Sequence, residues 1–213
     1  MKQNIGRLLP EIESFFINLG QDNLIVNETR KNELDRLVSY VNKGVNKKKP
    51  IRLIFICTHN SRRSHMGQLW AQAASVYYNI PNIICYSGGT EETAFNYRSV
   101  KALQKAGFNI SAKEKRENTL YEVLYSAQKE PITAFSKKFL HSENPQENFA
   151  AIMTCSDADE ACPFIPGADA RFSVQYEDPK ISDNTEHEEQ VYDERCKEIA
   201  AEMFYLFSKV KQE

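Results

Sequence analysis

From residue 51 onward the chain predicts an α/β domain: an open, mostly parallel sheet with helices on both faces. Three observations carry this. Short apolar runs suited to buried strands recur at 51–56, 82–86, 131–136 and 150–154. Helical patterns fall between and after them, at 64–78, 97–106 and 188–209. The loop after the first run opens directly into a helix, the local signature of a βα unit. Strands that alternate with helices pair in parallel, and ligands in such sheets bind beyond the carboxyl ends of the strands.

The elements follow in order. Residues 1–50 form a helical N-terminal extension and linker, in which Leu8, Ile12, Phe15, Phe16 and Leu19 recur at helical spacing. Asn27 is placed to cap a second helix with Leu34, Leu37, Val38 and Val41 on one face. These helices are expected to pack on the core or to join two copies of the chain as a homodimer. Lys47-Lys48-Lys49-Pro50 is a solvated linker, and the catalytic domain spans 51–213. Ser87-Gly88-Gly89-Thr90 is the strand-to-helix turn beside the first loop, with Ser87 or Thr90 touching it. Gly107 ends the next helix, and the polar stretch 141–148 separates the last two strands. The final helix carries Val191, Ile199, Met203, Leu206 and Phe207 on its apolar side. Trp70, Cys85 and Cys196 are core positions by pattern, and His65 is expected at the surface.

Bulk properties exclude several function classes. The 213 residues are 41% hydrophobic and 26% charged, enough for a packed core. A net charge of −2 offers no general attraction to nucleic acid. No apolar run approaches the ~20 residues of a membrane span, and the first residues lack the apolar segment of a signal peptide. A cytoplasmic location is expected. Five cysteines are too few and too scattered for a secreted disulfide scaffold, which leaves catalytic, redox or metal-binding uses.

The chemistry concentrates in Cys57-Thr58-His59-Asn60-Ser61-Arg62-Arg63-Ser64. Helix N-termini hold anions, because their first N–H groups are unpaired and the dipole is positive there. A cysteine at the start of such a loop lies in a field that favours the nucleophilic thiolate. Arg63, six positions on, can grip an oxyanion through two parallel hydrogen bonds. Ser64 can donate to the Cys57 sulfur, and Asn60 can hold the loop through side-chain to backbone bonds. Thr58, His59, Asn60, Ser61, Arg62 and Ser64 are thus the anion-binding residues around Cys57 and Arg63.

This loop resembles that of the low-molecular-weight protein tyrosine phosphatase superfamily, over roughly residues 51–210. The resemblance implies a flavodoxin-like sheet of about four parallel strands. Two further segments narrow it. Cys155-Ser156-Asp157-Ala158-Asp159-Glu160-Ala161-Cys162-Pro163 is similar to the redox loop of the superfamily's thioredoxin-coupled arsenate reductases. Glu177-Asp178-Pro179-Lys180 resembles its general-acid element, without the aromatic residues that follow it in phosphotyrosine-specific members. His59 stands where many members have glycine, and Arg62 where the reductase loop often has another cysteine. Gln68 replaces an acidic residue that some reductases link to a potassium site, so neither a metal nor another cofactor is expected. The stretch 126–148 is longer than the compact family needs and is placed to reshape the substrate entrance.

The resemblance implies that Cys57 attacks arsenate, Asp178 protonates the departing oxygen, Cys155 takes the oxidation as a disulfide, and Cys162 passes it on. Asp157 and Asp159 are expected to keep that segment polar and mobile. Partners are then an arsenate- or phosphate-type oxyanion and thioredoxin or a similar dithiol. Three alternatives stay open: a phosphatase for phosphotyrosine or small phosphomonoesters using Cys57, Arg63 and Asp178; a zinc site or inert pair at Cys155 and Cys162; and a phosphate-binding or redox-sensing module without turnover.

Overall fold

A computed structural model describes residues 7–21, 26 and 28–211. The predicted cap at Asn27 lies outside the described residues. The parallel sheet comprises β1 (Ile51–Cys57), β2 (Ile83–Gly89), β6 (Phe149–Met153) and β7 (Ala168–Ser173), in the order β2-β1-β6-β7. The fold class is as expected, a flavodoxin-like open sheet of four parallel strands flanked by helices. These are α1 (Pro10–Gln21), α2 (Glu28–Asn46), α3 (Arg63–Tyr77), α4 (Tyr97–Lys105), α5 (Ser156–Ala161) and α6 (Glu188–Ser208).

The strand pleat divides the core. Leu53 and Phe55 of β1 face the larger cluster, with α3, α6 and the apolar residues of α1 and α2. Ile54 and Ile56 face the smaller one, with Phe149, Ala151, Met153 and Ala158 of α5. Ile12, Phe16, Leu34, Leu37 and Val41 are fully buried, so both N-terminal helices belong to the same core as the sheet. Phe15 stacks on Trp70 at 4.9 Å between centroids, and Phe16 meets it edge-on at 5.3 Å. Burying one such phenyl group contributes roughly 2–3 kcal/mol. Lys47, Lys48, Lys49 and Pro50 are exposed, as a solvated linker requires.

Several expectations need correction. The run at 131–136 shrinks to β5 (Ile132–Ala134), which pairs antiparallel with β4 (Leu120–Leu124). β4 in turn pairs with β3 (Asn109–Glu114), making a separate three-stranded sheet, β3-β4-β5. Its alternation is weak: only Ile110 of β3 and Val123 of β4 are buried, so no long apolar run marks it. Ser87-Gly88-Gly89 is not a turn but the end of β2, in register with Phe55-Ile56-Cys57. A Cβ on Gly89 would lie 2.7 Å from the Asn60 nitrogen and the Thr58 oxygen, so glycine lets β2 run against the loop. Residues 156–161 form a helix rather than a mobile segment.

Candidate active site

Cys57 ends β1, and α3 begins at Arg63, so the intervening loop closes the strand onto the helix N-terminus. Cys57 is buried, and its Sγ lies 3.1 Å from Ser64 Oγ. Asn60 adopts φ +44°, a conformation asparagine tolerates. Its Nδ2 donates to Ser64 Oγ at 2.9 Å, while its Oδ1 accepts from the Lys137 amide at 2.8 Å. One side chain thus sets both the loop's curl and the serine beside the sulfur. The amides of His59, Asn60, Ser61 and Arg62 have no protein acceptor among the described residues. Such a run of unpaired N–H groups at a helix start has the chemistry to hold an anion.

Neighbours brace the loop from outside. Thr90 donates its hydroxyl to the Thr58 carbonyl at 3.2 Å and its amide to the Cys57 carbonyl at 3.2 Å. The His59 carbonyl accepts from Thr93 Oγ1 and Ser136 Oγ, and the half-exposed His59 ring faces Glu91 at 3.5 Å. Ser61 donates to the Ala94 carbonyl at 2.7 Å.

The two arginines are held differently. Arg63 donates to Asp178 Oδ2 at 2.6 Å and to the Tyr176 carbonyl at 2.9 Å. Asp178 itself caps the 3-10 turn Pro179–Ser182, accepting from the Lys180 amide. Arg62 donates to the Tyr192 hydroxyl at 2.8 Å and lies 3.5 Å from Asp183. Its guanidinium is engaged beneath the loop, leaving its backbone amide as the group it offers an anion.

Cys155 follows β6 and is fully buried. Its Sγ lies 3.5 Å from Thr58 Oγ1, and it caps α5 by accepting from the Ala158 amide at 3.4 Å. β1 and β6 are adjacent, and parallel strands run ~4.8 Å apart. The register Ile56 to Met153 therefore brings the ends of both strands, and Cys57 and Cys155 with them, to one side of the loop. Half-buried Cys162 caps the other end of α5. Asp159 is pinned: it accepts from Ser173 Oγ and Gln175 Nε2 and pairs with Arg171. That corrects the expected mobility. Asp157 is exposed.

His65 is also corrected. It is fully buried, stacked on Phe95 at 3.9 Å, with Nδ1 3.2 Å from Ser87 Oγ. Burial, with the Lys137 charge second, pushes its pKa well below the usual imidazole range. Tyr176, Tyr192 and Lys137, each by a hydrogen bond, and Asp183, by an ion pair, touch the loop or its arginines from distant segments, so no sequence signal marks them. Trp70, Cys85 and Cys196 are core residues as expected, with Trp70 Nε1 donating to Cys196 Sγ at 3.3 Å. Burial pushes both thiols up.

No family model matches the chain. An arsenate reductase of Bacillus licheniformis is 26% identical over 157 residues, covering 73% of this chain and 94% of that protein. Among solved structures, a mutant of YwlE from Bacillus subtilis superposes with a TM-score of 0.52 at 14% identity, covering 76% of this chain and 99% of that one. The low-molecular-weight protein tyrosine phosphatase of T. tengcongensis does so at 0.50 and 19% identity, covering 75% and 96%. The structural likenesses concern the fold; the sequence likeness is to arsenate reductases. The chain is similar in sequence to arsenate reductases and shares its fold with low-molecular-weight protein tyrosine phosphatases.

Proposed function

We propose that this chain reduces arsenate to arsenite through a thiol relay of Cys57, Cys155 and Cys162. Arsenate sits in the cradle of free amides with Arg63 opposite its charge. The Cys57 thiolate bonds to arsenic, and the displaced oxygen leaves as water with a proton from Asp178. Cys155 then attacks the Cys57 sulfur. The S–As bond breaks, its electron pair stays on arsenic, and arsenite departs from a Cys57–Cys155 disulfide. Cys162 attacks Cys155 and frees Cys57. A dithiol such as thioredoxin takes the oxidation from Cys155–Cys162, so two electrons enter for each arsenate reduced.

The observation that carries this reading is the position of Cys155, one strand over from the nucleophile and within 3.5 Å of the loop's Thr58. Cys155 is fully buried in the same apolar cluster as Cys57, so the first exchange is between two thiols of one cluster. The second exchange needs movement. Seven residues of helix rise ~10 Å, whereas disulfide partners need Cα atoms within about 7 Å. α5 therefore has to unwind before Cys162 reaches Cys155.

Cys155→Ser tests the proposal. Arsenite release coupled to thioredoxin disappears, while hydrolysis of para-nitrophenyl phosphate, which needs only Cys57, Arg63 and Asp178, persists. If the variant still turns over arsenate with thioredoxin, the relay is wrong. A wild-type protein that hydrolyses phosphomonoesters and leaves arsenate untouched is a phosphatase.

A further inference from the structure

Lys137 is the most exceptional charge outside the active loop. It is only 3% exposed, and no carboxylate among the described residues comes within ion-pair distance of it. Its Nζ sits 4.7 Å above the Phe135 ring. A buried ammonium costs several kcal/mol unless paired. This one lines a cavity of about 670 Å³ between β2, α3 and the segment that carries β5. Val76, Ile80, Ile83 and Ile132 supply apolar wall. At the polar end, Gln68 donates to the Cys85 carbonyl at 3.0 Å, but its buried Oε1 lacks any donor. Both residues line the same space, Lys137 without an ion-pair partner and Gln68 with an acceptor that lacks a donor.

We propose that this cavity binds a small organic hydroxycarboxylate, with its carboxylate on Lys137 and its hydroxyl on Gln68. A single lysine matches a single negative charge. Phosphate would bring nearly two against one ammonium, and among the described residues no helix N-terminus or second buried cation lines the space to share them. Lys129, Glu130 and Glu143 also line the cavity and are exposed, and the Glu143 carboxylate partly offsets the burial of the Lys137 charge. Burial pushes the Lys137 pKa down to about 8, so the group is charged at neutral pH. The site connects to the active loop through the Lys137 backbone. Its N–H holds Asn60 Oδ1 and its carbonyl accepts from Gly89 at 2.9 Å. Occupancy therefore bears on the residue that positions Ser64, whichever reaction Cys57 performs.

The probe is 3-hydroxybenzoate, followed by calorimetry and by side-chain NMR of Lys137 and Gln68 in the wild-type protein. Binding in the millimolar range or tighter is expected, with both side chains shifting, and neutral 3-hydroxybenzyl alcohol binding at least about tenfold more weakly. Lys137→Met, which removes the charge at nearly constant volume, weakens binding by about tenfold or more. Cys57→Ser leaves it unchanged. The proposal is overturned if no heat or shift develops by about 10 mM, if Lys137→Met binds equally well, or if inorganic phosphate displaces the probe.

Discussion

Arg30→Met is the perturbation that tests how far the N-terminal helices reach into the catalytic machinery. Arg30, on α2, pairs with Glu202 of α6 at 2.9 Å, and the two side chains are 18% and 7% exposed. It also lies over the Tyr176 ring at 5.1 Å and donates to the Gln175 carbonyl. The Tyr176 hydroxyl donates to Glu202 at 2.7 Å, and the Tyr176 carbonyl accepts from Arg63. One buried cluster thus joins α2 to the arginine of the active loop. Removing one member of a buried ion pair costs ~3–5 kcal/mol, because the other charge remains uncompensated. The cost depends on pH. Burial already raises the Glu202 pKa, with Arg30 opposing, and losing Arg30 raises it further. A carboxyl with a folded pKa above its unfolded value binds more protons in the folded state, so stability falls as pH climbs through that window. The Arg30→Met deficit is therefore full at pH 8 and smaller near pH 5. Urea denaturation of the wild type, Arg30→Met, Glu202→Gln and the double variant at both pH values measures it. The double variant should recover ~2 kcal/mol or more of the single variant's loss. A loss below ~1 kcal/mol at both pH values would refute the cluster's importance. So would a deficit that ignores pH.

Three other outcomes follow from the geometry. Ser64→Ala removes the hydroxyl 3.1 Å from the Cys57 sulfur, so iodoacetamide labelling of Cys57 at neutral pH should slow by ~tenfold; an unchanged rate means Ser64 does not support the thiolate. Asp159→Asn releases the tie between α5 and Arg171. It should cost ~1–2 kcal/mol of stability and accelerate Cys155–Cys162 disulfide formation under mild oxidation, and equal oxidation rates would show that the tie does not gate α5. The Lys137 pKa falls from 10.5 to about 8 on folding. Between those values the unfolded chain binds more protons, so wild-type stability rises with pH, by ~3 kcal/mol in all. Lys137→Met should abolish that rise in denaturation experiments, and a rise that survives would place its origin elsewhere.

How much of this molecule its sequence discloses depends on whether the relevant contacts are local. The strand, loop and helix around Cys57 are contiguous, so apolar run, cysteine, arginine and helical pattern suffice to place them. Ser64 beside the sulfur follows from the same few residues. β7 was invisible because its stretch, Ala168-Asp169-Ala170-Arg171-Phe172-Ser173, buries only Phe172 completely; pairing with β6 makes it a strand. His65 looks like a surface residue until Phe95, thirty positions on, stacks over it. α5 shows the limit most sharply. Its six residues are too few to display a helical period, and its N-cap is Cys155, whose sulfur does the work usually left to Ser, Thr, Asp or Asn. The sequence shows two thiols seven positions apart and suggests a pliable loop between them. The helix changes the problem from reach to stability. In a loop, the rate at which Cys162 meets Cys155 is set by diffusion of the chain. In the proposed relay it is set by the free energy of unwinding α5, which the Asp159 contacts to Arg171, Ser173 and Gln175 and the buried Ala158 oppose. In the proposed relay, once Cys155 bonds to Cys57 its sulfur can no longer remain an undisturbed cap for the Ala158 amide. On that proposal the first disulfide weakens the helix that holds Cys162 away, and the order of the two exchanges follows from the cap.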